Sequence, residues 1–184
     1  MTDINETVVR HFFELNGFLV RTNVRYWVAG DRGGGDSDID LVILNLNPDK
    51  LNPAEAFVLT LDELPGIRRA IVETKGWHTE RFTEALIKGT PRIFNFVRPE
   101  AIEQAKRVFS DADFRRILVV SSLARTEQNR QGAIRLLKQG GIDHVVEFDT
   151  IVRFVVHQVE ANKNYPDPEI LQTIRLLKVY GILA

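Results

Sequence analysis

The chain contains no cysteine, a single methionine and no apolar run approaching a membrane span. Without cysteine there can be no disulfide and no thiolate metal site, as suits an intracellular protein. A bilayer crossing needs about 20 predominantly apolar residues in succession, and charges interrupt every apolar stretch sooner. The opening residues, Met1-Thr2-Asp3-Ile4-Asn5-Glu6, lack the basic and apolar regions of a signal peptide. Together these absences predict a cytoplasmic protein with no membrane partner. A dominant charge is missing too. With 24 bases, 25 acids and a net charge of −1, nothing global advertises a polyanionic partner. Internal repeats and low-complexity segments are absent as well.

What is present is ordinary in bulk and uneven in detail. At 184 residues, 44% apolar and 27% charged, the chain can bury one core, and a single domain over 1–184 is expected. Eight acids lie between Asp31 and Glu63 against two bases, Arg32 and Lys50. Between Arg68 and Arg107 nine bases face five acids. Solvated faces vary in charge without meaning, but a basic side next to an acidic pocket also suits a polyanion held over a cation.

Periodicity predicts alternating helices and strands. Residues 4–16 form an amphipathic helix capped by Asp3, and 17–28 form a strand with a bend at Thr22-Asn23. A glycine-rich loop, 30–37, leads into a strand over 38–44. Residues 54–61 are expected to be a short helix, followed by a strand around Ala70–Lys75. Helices are expected over 79–88, 99–109, 126–139, 150–160 and 168–180, with strands over 116–121 and 145–148. This order implies an α/β fold with a mixed central sheet flanked by helices on both faces.

Two strands carry charges where a core strand has none. Glu73 and Lys75 stand two apart at the end of Ala70-Ile71-Val72, and Asp38 and Asp40 stand two apart before Leu41-Val42-Ile43-Leu44. Side chains alternate across a strand, so each pair shares a face. Isolated charges inside a fold are costly and require partners, a metal ion or a wet cleft. A cross-strand salt-bridge network is the non-catalytic way to satisfy them.

Taken in order, Glu14 on the first helix, Asp40 in Asp38-Ile39-Asp40-Leu41-Val42 and Glu73-Thr74-Lys75 resemble the PD-(D/E)XK nuclease superfamily, as does Gly17-Phe18-Leu19-Val20 after the helix. The resemblance covers about residues 1–90, the expected catalytic core, with further α/β elements and helices over 91–184. It implies a restriction-endonuclease-like fold and a magnesium- or manganese-dependent nuclease hydrolysing DNA in repair, recombination or restriction. Asp40 and Glu73 would be the metal ligands, with Asp38 and the carbonyl of Thr74 contributing. Lys75 would orient the attacking water or stabilise developing charge, and Glu14 would act through a metal-bound water. Ser37-Asp38 stands where the family has proline before its aspartate, so Asp38 and Asp40 compete as main ligand, Asp40 being preferred. The 33 positions from Asp40 to Glu73 imply an inserted segment. Enzymes of this family that cut both strands often work as homodimers, and the last two helices could supply such a contact.

Around this centre, Trp77, His78, Arg81, Lys88 and Arg92 are candidate substrate contacts: an exposed tryptophan can stack on a base, and the cations suit phosphates. Two other readings compete. Gly30-Asp31-Arg32-Gly33-Gly34-Gly35-Asp36-Ser37 followed by Asp38-Ile39-Asp40 also resembles the glycine-rich loop and Asp-x-Asp of polymerase-β-like nucleotidyltransferases. Asp31 stands where that family has serine, and its charge would repel phosphate. The remaining reading is a catalytically silent nucleic-acid-binding module.

Overall fold

In the computed structural model, which describes residues 3–28, 34–165 and 169–183, five strands form one mixed sheet. They run in sequence order: β1 (Phe18–Val28), β2 (Gly35–Asn45), β3 (Arg69–Lys75), β4 (Arg115–Val120) and β5 (His144–Glu147). β1, β2 and β3 are antiparallel neighbours, while β3–β4 and β4–β5 are parallel. The parallel connections carry helices, as such crossovers must.

The sheet is covered on both faces, as the alternation of elements predicts. One core joins α1 (Ile4–Leu15), α5 (Phe148–Gln158) and α6 (Ile170–Val179) to the sheet through Val9, Phe12, Phe13, Ile151, Val155 and Leu171. The other joins α2 (Glu84–Gly89), α3 (Pro99–Phe109), α4 (Glu127–Gln139) and a 3-10 turn over Pro91–Val97. β4 shows how one strand serves both: Ile117 and Val119 enter the first core, Leu118 and Val120 the second.

β2 breaks this alternation in the middle. Ile39 lies in the second core and Leu41, two residues later, in the first. Its partner strand changes phase at the same level, since Phe18 belongs to the first core and Val24 and Tyr26 to the second. The ladder keeps its register, Thr22 opposite Leu41 and Val24 opposite Ile39. Asn23 absorbs the change by taking a left-handed backbone, φ 52°, which asparagine tolerates better than most residues. The bend expected at Thr22-Asn23 is therefore real, but it turns one continuous strand. Asp40 sits at the switch.

Several expectations are corrected. Residues 54–61 are not a helix: Val58 bridges Val145, and Val145 N–H donates to Phe57 O at 2.6 Å while Leu59 N–H donates to Val145 O at 2.9 Å. The outer edge of β5 captures backbone groups that a helix would have used internally. Similarly, the helix expected over 79–88 begins only at Glu84, capped by the Thr83 hydroxyl. Before it, Phe82 is wholly buried and pairs with the chain beyond β4. Phe148 opens α5 instead of closing β5. The part of the last predicted helix at residue 168 lies outside the described residues. No helix among the described residues is long and apolar enough to cross a membrane.

Candidate active site

The Leu41–Val72 pairing of β2 with β3 brings Asp40 and Glu73, the next residues along each strand, together. Asp40 Oδ2 accepts the backbone N–H of Thr74 at 2.6 Å. Lys75 Nζ donates to Glu73 Oε1. The 33-residue gap in sequence thus closes in space, and three of the predicted residues stand side by side.

Glu73 is buried, only 6% exposed, and its second oxygen, Oε2, has no hydrogen-bond partner among the described residues. A carboxylate so placed resists ionisation. Burial above all, then the neighbouring Asp40, raises Glu73 from an ordinary 4.5 to about 8 despite Lys75. Burial likewise raises Asp40 from 3.8 to about 6, against the Thr74 N–H and Lys75 and with help from Asp38 and Asp3. The two titrate as a pair, so what matters is their shared preference for a proton or another cation.

α1 contributes a third acid, and it is not the predicted one. Glu6, in the first turn, rises from 4.5 to about 7, through burial first and then through Asp40, Asp3 and Asp38. Glu14 instead lies in the last turn, 3.2 Å from His11 Nδ1 and 3.9 Å from the Arg10 guanidinium. Eight residues along a helix is about 12 Å, so the end of α1 that faces β2 and β3 carries Glu6 and leaves Glu14 behind. The signal for Glu6 was its place at the helix start, overlooked because Asp3 and Glu6 together look like a capping box. Asp3 does cap the helix, accepting from Asn5 N–H at 3.2 Å.

Gly76 explains how α1 comes so close. A Cβ there would fall 2.4 Å from Asn5 Nδ2. His78 then fastens the helix start, its Nε2 standing 2.7 Å from Asn5 Oδ1 and its ring edge-on to Phe148. Neither Asn5 nor Gly76 carried a chemical signal in the sequence.

The other predicted residues divide. Asp38 is exposed, opposite Arg25, and acts on Asp40 and Glu73 through charge alone. Thr74 meets Asp40 through its backbone N–H. Trp77 stacks on Phe82, rings 5.6 Å apart and 6° from parallel. Lys88 is held by Glu84 at 3.1 Å, half neutralised on the surface of α2. Arg81 is half-buried just before Phe82.

Does the donor set suit a divalent cation? Among the described residues no three His, Asp or Glu side chains form a ready-made cage. Magnesium asks for less: it keeps several waters and takes one or two carboxylates. Asp40, Glu73 and Glu6 offer hard oxygens, and their raised pKa values mark carboxyls that the single Lys75 ammonium does not compensate without a proton or another cation. The fit is to an ion that binds oxygen and brings its own water.

The rival glycine-loop reading rests largely on residues outside those described. Gly30 to Gly33 lie outside the described residues. Beyond them Gly35, Asp36 and Ser37 already belong to β2, paired with Val28, Trp27 and Tyr26. No family model matches the chain, and no curated protein or solved structure does either.

Proposed function

We propose that this chain is a divalent-metal-dependent nuclease hydrolysing phosphodiester bonds of DNA on a restriction-endonuclease-like fold, in repair, recombination or restriction. The observation that carries the reading is the juxtaposition of Asp40 and Glu73 across β2 and β3, with Lys75 on Glu73 and with both carboxyls raised toward holding a proton where a cation could replace it. A salt-bridge network would balance its charges; this one has several carboxylates gathered about a single ammonium.

Asp40 and Glu73 would hold the cation, with the Thr74 carbonyl and Glu6 in support. Bound there, magnesium or manganese supplies a Lewis acid for a phosphoryl oxygen and lowers the pKa of water. The chain's own groups do the rest. The Thr74 N–H fixes the Asp40 carboxylate, so its free oxygen keeps one direction. Lys75, tethered to Glu73, presents its remaining N–H donors to the attacking oxygen or to the charge that develops on phosphorus. Glu6, drawn toward neutrality by its neighbours, can take or return a proton near pH 7.

The test is cleavage of labelled duplex, single-stranded, flapped and four-way DNAs, and of matching RNAs, with magnesium or manganese. Parent protein should cut DNA only with the metal, and Lys75→Ala should abolish cutting while retaining metal binding by calorimetry. Absence of any cutting would displace this reading in favour of nucleotide transfer or silent binding.

A further inference from the structure

A second feature opens directly after Lys75. There the chain turns away from β3 and lines a cleft of about 630 Å³ with Gly76, Trp77, His78, Glu80, Thr90 and Arg92. That volume falls in the range of small-molecule and nucleotide sites. One wall is aromatic and rigid: Trp77 lies flat on Phe82, which is wholly buried. The other wall is the 3-10 turn over Pro91–Val97, anchored in the second core by the buried Ile93 and Phe96.

Arg92 projects from that anchored turn over the Trp77 ring, its Cζ 5.6 Å from the ring centroid. It is exposed, and among the described residues no carboxylate or other hydrogen-bond acceptor engages it. Stacking occupies the face of a guanidinium and leaves the N–H donors at its edge free. A surface arginine ordinarily loses freedom when it binds; the cation–π contact with Trp77 biases this one in advance, so less is lost on meeting an anion. Glu80 on the same cleft is the only carboxylate among these six lining residues, and its repulsion leaves the Arg92 side as the favourable approach for an anion.

We infer that Arg92, held on Trp77, grips a backbone phosphate of the DNA strand next to the scissile phosphate, and so positions the strand over Asp40, Glu73 and Lys75. Arg92 is a positioning residue for substrate and takes no part in the bond breaking. This rests on the nuclease reading. The chemistry it asks for is bidentate donation to a phosphate diester, independent of base identity.

The experiment uses the full chain in two forms. Steady-state cleavage of a labelled DNA that the parent cuts gives KM and kcat for parent, Arg92→Gln and Arg92→Lys. Equilibrium binding of the same DNA in a Lys75→Ala background gives the slope of log affinity against log salt. Arg92→Gln should raise KM about five-fold with kcat within about two-fold, and should flatten the salt slope by about 0.9 on a duplex or about 0.7 on a single strand. Arg92→Lys should restore the slope but only part of the affinity, since ammonium stacks and chelates poorly. If the parent cuts DNA while Arg92→Gln leaves KM and salt slope unchanged, the phosphate grip is wrong and the nuclease reading stands. If the parent neither cuts nor binds DNA, or cuts RNA alone, both statements fall.

Discussion

Replacing Glu73 by glutamine should make the metal-free protein more stable at neutral pH and above, while removing its capacity to respond to a divalent cation. The two side chains have nearly the same volume, so no cavity opens, and the substitution changes charge alone. The Glu73 carboxyl is raised from 4.5 to about 8. At pH 7 it therefore keeps a proton in the folded protein that it would release on unfolding, a penalty of about 3 kcal/mol, rising toward about 5 kcal/mol above pH 8. At pH 5 the same penalty is under about 1 kcal/mol. Against the gain stands Lys75, whose charge-assisted bond to Glu73 becomes a bond to a neutral amide at a loss of about 1–2 kcal/mol. The balance at pH 8 is a gain of about 2–3 kcal/mol, or about 5–10 °C in Tm for a domain of this size. Thermal unfolding in chelator at pH 5 and pH 8 measures it, and the difference between the two pH values isolates the titration. Magnesium at about 100 times its Kd should stabilise the parent by about 2.7 kcal/mol and leave the variant unmoved. A variant no more stable than the parent at pH 8, with no dependence on pH, would mean that the Glu73 charge is satisfied within the fold. The argument for a missing cation would then collapse.

Other consequences are independent of that variant. The metal-free parent itself should lose stability as pH rises, because carboxyls with raised folded pKa stabilise below their unfolded values and lose that contribution as pH passes the folded ones. The window runs from about 4 to 8 for Asp40, Glu6 and Glu73 together. Buried His144, whose pKa is lowered mainly by desolvation, gains in the opposite sense up to its unfolded 6.5, so Tm measured between pH 6.5 and 8 shows the carboxyl trend alone. A flat or rising Tm across that upper interval contradicts it. Glu6→Gln should lower metal-dependent cleavage at least ten-fold, whereas Glu14→Gln should leave it within two-fold; the reverse result would restore the sequence's choice of acid. Phe13→Ala, wholly buried between α1 and the sheet, should cost about 3–5 kcal/mol in urea unfolding, and a loss below about 1 kcal/mol would mean that α1 is not docked as described.

Much of this architecture was written in local patterns. Apolar periodicity located α1, α3, α4, β3, β4 and β5 to within a residue or two, while β2 starts three residues earlier than expected, at Gly35 in what reads as loop; the charged pairs of β2 and β3 stood out because core strands do not ordinarily carry them. Asp40, Glu73 and Lys75 could be named together because each sits in a strand whose alternation is visible from the sequence. Neighbourhood was not visible. That Asp40 lies beside Glu73 follows from which strands pair and in what register, a decision made by hydrogen bonds and two cores at once.

The misreadings have the same origin. Residues 54–61 and 79–83 carry helical spacing, but strand edges took their backbone groups. Glu14 was named because the resemblance implies an acid on the first helix; which end of α1 reaches the site depends on how Phe12 and Phe13 dock the helix, and the close approach permitted by Gly76 brings Glu6 instead. The phase switch at Asn23 and Asp40 was legible only as a bend. By itself, then, the sequence determined most of the elements, the α/β class and the chemical types of the central residues, because these rest on contacts within a few positions of one another. Only the tertiary structure decided which acids share a site, how far their charges outnumber Lys75 and that Arg92 lies on Trp77, because each depends on packing between segments that the chain keeps far apart.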